Sequence, residues 1–332
     1  MRVKYEEMKA LFRDVLTRRS FSPEKAEKVA GMFADNSCDG VYSHGLNRFP
    51  RFVSYVEEGY VDPGAEPTRE ESFGAFERWN GNRGVGCTNA AAAMAGAMEL
   101  ARRHGIGCVA LGNTNHWMRG GSYGLQAARA GFAGICWTNA NPAMPSWGAK
   151  TPNVGNNPLV MAFPFKDTCM VIDGALAQYS YGALDSYRMA GSQLPFPGGY
   201  DRDGNLTADP AAILETGRVL PIGLWKGSGY ALLLDAMGAA LAKGNTAPEV
   251  GRAGREVGVT QVFIAFDVAK TSGAEYVAAM AERLIADFRA AEPVESGVPF
   301  YYPGEKAAAT RKENMAAGIP VNEAIWNDVQ KL

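Results

Sequence analysis

Apolar residues recur every three or four positions through residues 5–19 and again through 23–37, the spacing that gives a helix one buried face. Ser22-Pro23 opens the second stretch: a serine cap precedes a proline whose missing N–H would have no partner in a first helical turn. The alanine-rich run 88–104 predicts a third helix, stopped by Gly105. Beyond it the texture changes. Short β-branched or apolar runs at 107–111, 134–138, 159–163, 169–173 and 261–266, each bounded by glycine, proline or asparagine, predict strands. Helices are predicted at 229–242 and 272–290, the latter with a Ser272-x-x-Glu275 capping box and Val277, Met280, Leu284 and Phe288 along one face. The segments 305–317 and 322–331 read as helical again.

Helices at both ends around a strand-rich middle predict an α+β, mixed-sheet chain. Several strands follow one another with only loops between them, which a doubly wound parallel fold does not do. At 332 residues the chain exceeds one ordinary core. We expect residues 1–75 and 300–332 to form one discontinuous helical domain and 76–299 a sheet-containing one.

Composition narrows the chemistry. With 47% apolar and 20% charged residues the chain reads as soluble and globular. A formal charge of −2 and the absence of long like-charge runs argue against nucleic acid or membrane surfaces as partners. The N-terminus reads as an amphipathic helix rather than a signal peptide, which points to the cytoplasm. Five cysteines, Cys38, Cys87, Cys108, Cys136 and Cys169, are odd in number and form no C-x-x-C pair. They are expected to be buried thiols, and no metal site is expected.

Four segments carry candidate chemistry. In VYSHGLNRFPRFVSYV (41–56), Pro50 places the helix start near Asn47 and leaves Ser43 and His44 on the preceding turn, with the imidazole at an exposed edge. Arg48, Arg51 and Tyr55 then share one helical face, which by itself could be a solvated one. GNTNHWMRGGSYG (112–124) gathers Asn113, Asn115, His116, Trp117, Arg119 and Ser122 into what reads as a single donor-rich loop after a strand. LPIGLWKGSGYALLLD (220–235) sets Lys226 at a helix start, a candidate anion site or a plain cap, and not a Walker loop. YYPGEKAAAT (301–310) turns at Pro303-Gly304 into a helix. GNRGVG (81–86) lacks the spacing and preceding strand of a Rossmann fingerprint.

Taken together, YSHG (42–45) with Arg48, NHW (115–117), Gly155-Asn156-Asn157-Pro158 and the Leu-Pro-Ile-Gly-x-x-Lys-Gly run at 220–227 resemble the type-2 malate/L-lactate dehydrogenase family, from residue 3 to the C-terminus. That resemblance implies a non-Rossmann fold and a nicotinamide-dependent reduction of a 2-oxo or 2,3-dioxo sugar acid, or of a related acid such as malate, lactate or ureidoglycolate. It implies His44 as proton donor, with His116 its rival, and Ser43, Arg48, His116 and Arg119 as residues that orient the substrate. It further implies that Thr168, Cys169, Met170, Val171, Ile172, Asp173 and Gly174, then Leu224, Trp225 and Lys226, then Gly304, Glu305 and Lys306 bind NAD, and that the chain is a homodimer. Family members commonly carry hydroxyl residues after the position of Asp173, where this chain reads Gly174-Ala175-Leu176-Ala177, and Asn156 and Ala140 also depart from the pattern. These departures leave NADH against NADPH open. A sugar-acid-binding protein without turnover is the reading from another class.

Overall fold

The strand Val257–Phe266 is the one around which the others are arranged. In this computed structural model, which describes residues 1–295 and 297–332, it lies between Ile106–Asn115 and Ala133–Thr138 and runs antiparallel to both. Leu159–Phe163 and Met170–Gly174 extend the sheet on one side, again antiparallel. On the other side Phe76–Asn80 runs parallel to Ile106–Asn115 and pairs in turn with Thr68–Phe73. The seven-stranded sheet is therefore mixed. Its parallel step is made by the helix Gly86–His104, because parallel neighbours need a long crossover.

Both faces of the sheet are covered, which explains the near-continuous apolar run of the central strand. Phe263 and Ala265 pack with Ala90, Met94 and Ala97 of the crossover helix. Val262 points the other way, into a cluster with Trp137 and Ala242 at the end of the helix Trp225–Ala242.

A separate core joins the helices Tyr5–Thr17, Pro23–Cys38 and Phe49–Glu57 to Trp326 and Val329 of Glu323–Lys331. Phe12 stacks on Phe49 at 4.2 Å between ring centroids, with Phe33 edge-on to both. Arg2–Val3 pairs antiparallel with Ile319–Pro320, so the two chain ends share a ladder as well as a core. Ser22 caps Pro23–Cys38 by accepting the Lys25 N–H at 3.2 Å. A third cluster, built from Leu176, Leu184, Leu194, Ile213 and Val219, packs against Met144 and Ala231.

Several local expectations need correction. The strand that starts at Ile106 runs on to Asn115 and a helix starts at Gly121, so the supposed loop 112–124 shrinks to residues 116–120. The helix expected from residue 229 begins at Trp225. The Ser272/Glu275 capping box does not form: Gly273, at φ +83°, separates Val268–Ser272 from Ala274–Arg289, so Ser272 ends one helix instead of starting the next. Four cysteines are buried, Cys108 is half-buried, and all five are free.

Candidate active site

Two turns, far apart in sequence, bring the imidazoles together. The first is Tyr42–His44, a 3-10 turn that follows Pro23–Cys38. Gly45 lies so close to that helix that a Cβ would collide with Ser37 Oγ, so only glycine lets the turn fold back there. Ser37 Oγ accepts the Leu46 N–H at 2.9 Å, and the Asn36 side chain donates to the His44 carbonyl at 2.9 Å. The second is residues 116–120, pressed on the start of Gly86–His104, where a Cβ on Gly86 would meet the Asn115 and His116 carbonyls. The Ser122 hydroxyl donates to Asn36 Oδ1 at 3.1 Å and ties together the helices that flank the two turns.

The His44 and His116 rings stack 5.6 Å apart at 16°. Ser43 Oγ lies 3.0 Å from His44 Nδ1, and the Met118 N–H donates to His116 Nδ1 at 2.9 Å. The latter contact assigns the tautomer: Nδ1 of His116 keeps its lone pair, so in the neutral ring Nε2 carries the hydrogen. Neither ring is the exposed edge the sequence suggested; both are half-buried. Burial, then Arg48 and Arg119, push His44 down to about 4. Burial, Arg48, His44 and Arg51 hold His116 well below the ordinary histidine range. Without a bound anion the pair is neutral at pH 7.

The two nearby arginines are held differently. Arg119 is buried and pairs with Asp39, which also takes Arg311 Nη1 at 2.8 Å, while Arg311 Nη2 reaches Asp35 at 2.7 Å. Arg48 makes one side-chain hydrogen bond among the described residues, Nη2 to Glu256 Oε2 at 3.3 Å. Arg51 turns to the Tyr55 hydroxyl at 3.0 Å. Between Arg48, Arg51, Asn115 and His116 is a cavity of about 20 Å³, room for roughly one water.

A larger cavity, about 890 Å³, has Arg119 in its wall. Asp39–Tyr42, the residues just before Ser43, form part of its wall, and Thr168, Val171, Asp173, Gly304 and Lys306 line it too. The Val171 N–H donates to the Pro303 carbonyl at 3.0 Å, and Thr168 Oγ1 lies 2.7 Å from the Tyr302 hydroxyl, which joins the 168–174 and 304–306 segments. The N-terminus of the helix Glu305–Ala317 faces this space with Lys306, Arg311 and Lys312 nearby, a setting suited to phosphate oxygens. Among the other expected cofactor residues, Cys169 is buried in the sheet core, Met170 packs beside Phe165 and Tyr302, Ile172 is exposed, and Gly174 pairs with Leu159. Glu305 is engaged with Arg289. Leu224, Trp225 and Lys226 are exposed at the start of another helix and do not line this cavity.

Residues 3–330 match the family model described as malate/L-lactate dehydrogenase. The chain belongs to that family. Its relatives include the 2,3-diketo-L-gulonate reductases of Klebsiella pneumoniae (strain 342), 43% identical, and Escherichia coli (strain K12), 44% identical, each aligned over 333 residues and all of both chains. Among solved structures, sulfolactate dehydrogenase from Methanocaldococcus jannaschii superposes with a TM-score of 0.90 at 28% identity, covering 100% of this chain and 96% of that one. The protein is thus an oxidoreductase of the malate/L-lactate dehydrogenase family, whose relatives act on hydroxy and keto acids. Asn36, Asp39, Glu256 and Arg311 belong to the site's surroundings and carried no motif signal; Asp39, Glu256 and Arg311 act through contacts between residues more than 200 positions apart, and Asn36 through a short-range bond to a backbone carbonyl.

Proposed function

We propose that the protein reduces 2,3-diketo-L-gulonate, or a close six-carbon 2,3-dioxo acid, with NADH as reductant and His44 as proton donor. The observation that carries this reading is the stacked histidine pair, flanked by an arginine with a mostly uncommitted fork and set beside a cavity with a basic, helix-capped wall. The full-length relatives name the substrate.

Arg48 binds the substrate carboxylate, since its planar guanidinium offers parallel donors. That anion offsets a cation which otherwise depresses His44, so acid binding raises the imidazole pKa and brings a proton onto the ring where one is needed. Ser43, hydrogen-bonded to Nδ1, orients the ring so that Nε2 faces the substrate oxygen. His116, with hydrogen on Nε2, serves as a neutral donor beside it. The dihydronicotinamide, when bound, supplies the hydride. Thr168, Val171, Asp173, Gly304 and Lys306 would hold it, while Leu224, Trp225 and Lys226 would meet it from a different part of the surface.

We further propose a homodimer in the cytoplasm. Trp225, Tyr230, Leu232, Leu233 and Met237 are all exposed on one helix, Leu233 at 61%, an apolar surface that a second copy would cover. Five free cysteines suit a reducing compartment. Screening 2-oxo and 2,3-dioxo acids against NADH and NADPH, with loss of dihydronicotinamide absorbance as the readout, tests the function. Turnover of malate, lactate or ureidoglycolate in preference to any six-carbon dioxo acid would reassign the substrate. No turnover at all would overturn the enzyme reading. Sedimentation equilibrium tests the dimer.

A further inference from the structure

The helix Phe49–Glu57 has its end charges set against its own dipole: Arg48 is the N-cap residue and Glu58 the C-cap residue. A cation is disfavoured at the first position and an anion at the second. Two consecutive residues just ahead of the strand Val257–Phe266 supply the opposite charges. Glu256 Oε2 lies 3.3 Å from Arg48 Nη2, and Arg255 Nη2 lies 3.5 Å from Glu58 Oε2. The contacts span 208 and 197 positions of chain, so the tertiary fold makes them.

These two pairs are not equivalent. Arg255 and Glu58 are well exposed, and such pairs contribute little. The Arg48 and Glu256 side chains retain 20% and 13% of their exposure. Burial pushes the Glu256 carboxyl up, and Arg48, with lesser help from Arg51 and the Asn141 amide, pulls it back toward the charged form. Glu256 also sits at a telling point: Val257 pairs with Asn115, so the next residue outward on each strand is Glu256 on one and His116 on the other.

We infer that Glu256 is the positioning residue for Arg48, holding one guanidinium nitrogen so that the remaining donors face the substrate carboxylate beside the histidine pair. The inference rests on the reading above that Arg48 binds the acid. A guanidinium anchored at one nitrogen has lost its rotational freedom before substrate arrives, yet keeps donors for a two-point contact. Arg119, by contrast, sits within an ionic chain that runs through Asp39 to Arg311. Of these two, Arg48 is the arginine outside the buried ionic chain, and Glu256 is what aims it.

The test uses the intact enzyme with NADH and the best acid substrate from the screen. Glu256→Ala should raise KM for the acid by about tenfold or more, the loss expected when a charge-assisted contact is no longer well aimed, with kcat and the KM for NADH changed much less. Glu256→Gln, which still accepts from Nη2, should stay within about threefold of the wild type. In an Arg48→Lys background the alanine change should add little, since residues that act through one contact are not additive. A purely structural glutamate would lower stability and raise both KM values in either background. Should Glu256→Ala fail to fold, Glu256→Asp keeps the charge but withdraws it by one methylene, and KM for the acid must still rise. A normal KM in folded Glu256→Ala or Glu256→Asp, or additivity with Arg48→Lys, overturns the inference while leaving the enzyme reading intact. A wild-type chain without turnover overturns that reading first and this inference with it.

Discussion

Arg119 and Arg48 both bear on the His44 imidazole, and the fold treats them in opposite ways. Arg119 is 7% exposed and belongs to a chain of alternating charges through Asp39, Arg311 and Asp35 that joins the 116–120 turn to the helices of both chain ends. Arg48 is only half-buried and has one 3.3 Å partner. Residue type and proximity to a histidine therefore do not define a substrate-binding arginine. What separates the two is burial and charge pairing: each makes one side-chain hydrogen bond among the described residues, but that of Arg119 belongs to a buried ionic chain and that of Arg48 does not. The sequence motifs group the two together; burial and the ionic chain separate them.

The sharpest way to probe this contrast is to remove the group both arginines act on. His44→Asn should leave folding and NADH binding intact and lower turnover by roughly 10²- to 10⁴-fold, the usual contribution of a positioned acid. For reduction the donor must be protonated, so rates fall as pH rises through its pKa. With the free ring held at about 4, the descending limb of kcat/KM should lie at lower pH than that of kcat, where the bound carboxylate offsets Arg48. Coincident limbs would remove the proposed coupling. If His116→Asn loses turnover and His44→Asn keeps it, the donor is His116.

Next comes the arginine pair itself. Arg119→Leu should cost on the order of 3 kcal/mol of stability, the lower end for breaking a buried pair because Arg311 still faces Asp39. Arg48→Lys should change stability by less than about 1 kcal/mol, because the charge stays and little packing is lost, and should instead raise KM for the acid. Denaturant midpoints and steady-state constants, measured on both variants, decide it. Equal stability losses would erase the distinction drawn here.

The smallest effect tests a third cation, the exposed Lys226. If it and the following amides hold cofactor phosphate, Lys226→Ala should raise the constant for NADH by about tenfold, the worth of one charge-assisted hydrogen bond. An unchanged constant would leave 220–235 as an ordinary helix start, in keeping with its absence from the lining of the large cavity.

How far the sequence could lead differs from element to element. The run at 134–138 matches a strand closely because the sheet is covered on both faces there and few positions can be polar, and 159–163 matches too although Met161 is exposed. Thr68–Phe73 gives no such signal: all six of its residues are exposed, so no apolar alternation marks it. Pro50 correctly puts His44 on a turn ahead of a helix. It could not reveal its burial, which comes from Asn36, Ser37 and the distant 116–120 turn. Glu256 was illegible for the same reason, with its partner 208 positions away. Local pattern specifies elements, whereas the environment of a titrating group is a tertiary property.

The shared ladder and core of the chain ends set an order of events during synthesis. Phe12, Phe33 and Phe49 lie in a cluster with Trp326 and Val329, and Val3 pairs with Ile319. At the ribosome's pace of about 5 to 20 residues per second, the first helices wait roughly 15 to 60 seconds for those partners to be made. During that interval three aromatic rings have no finished core to enter, and they form a natural landing place for a chaperone. The histidine turn hangs from the same helices through Asn36 and Ser37. The arrangement of the two imidazoles is therefore among the last parts of the molecule to form.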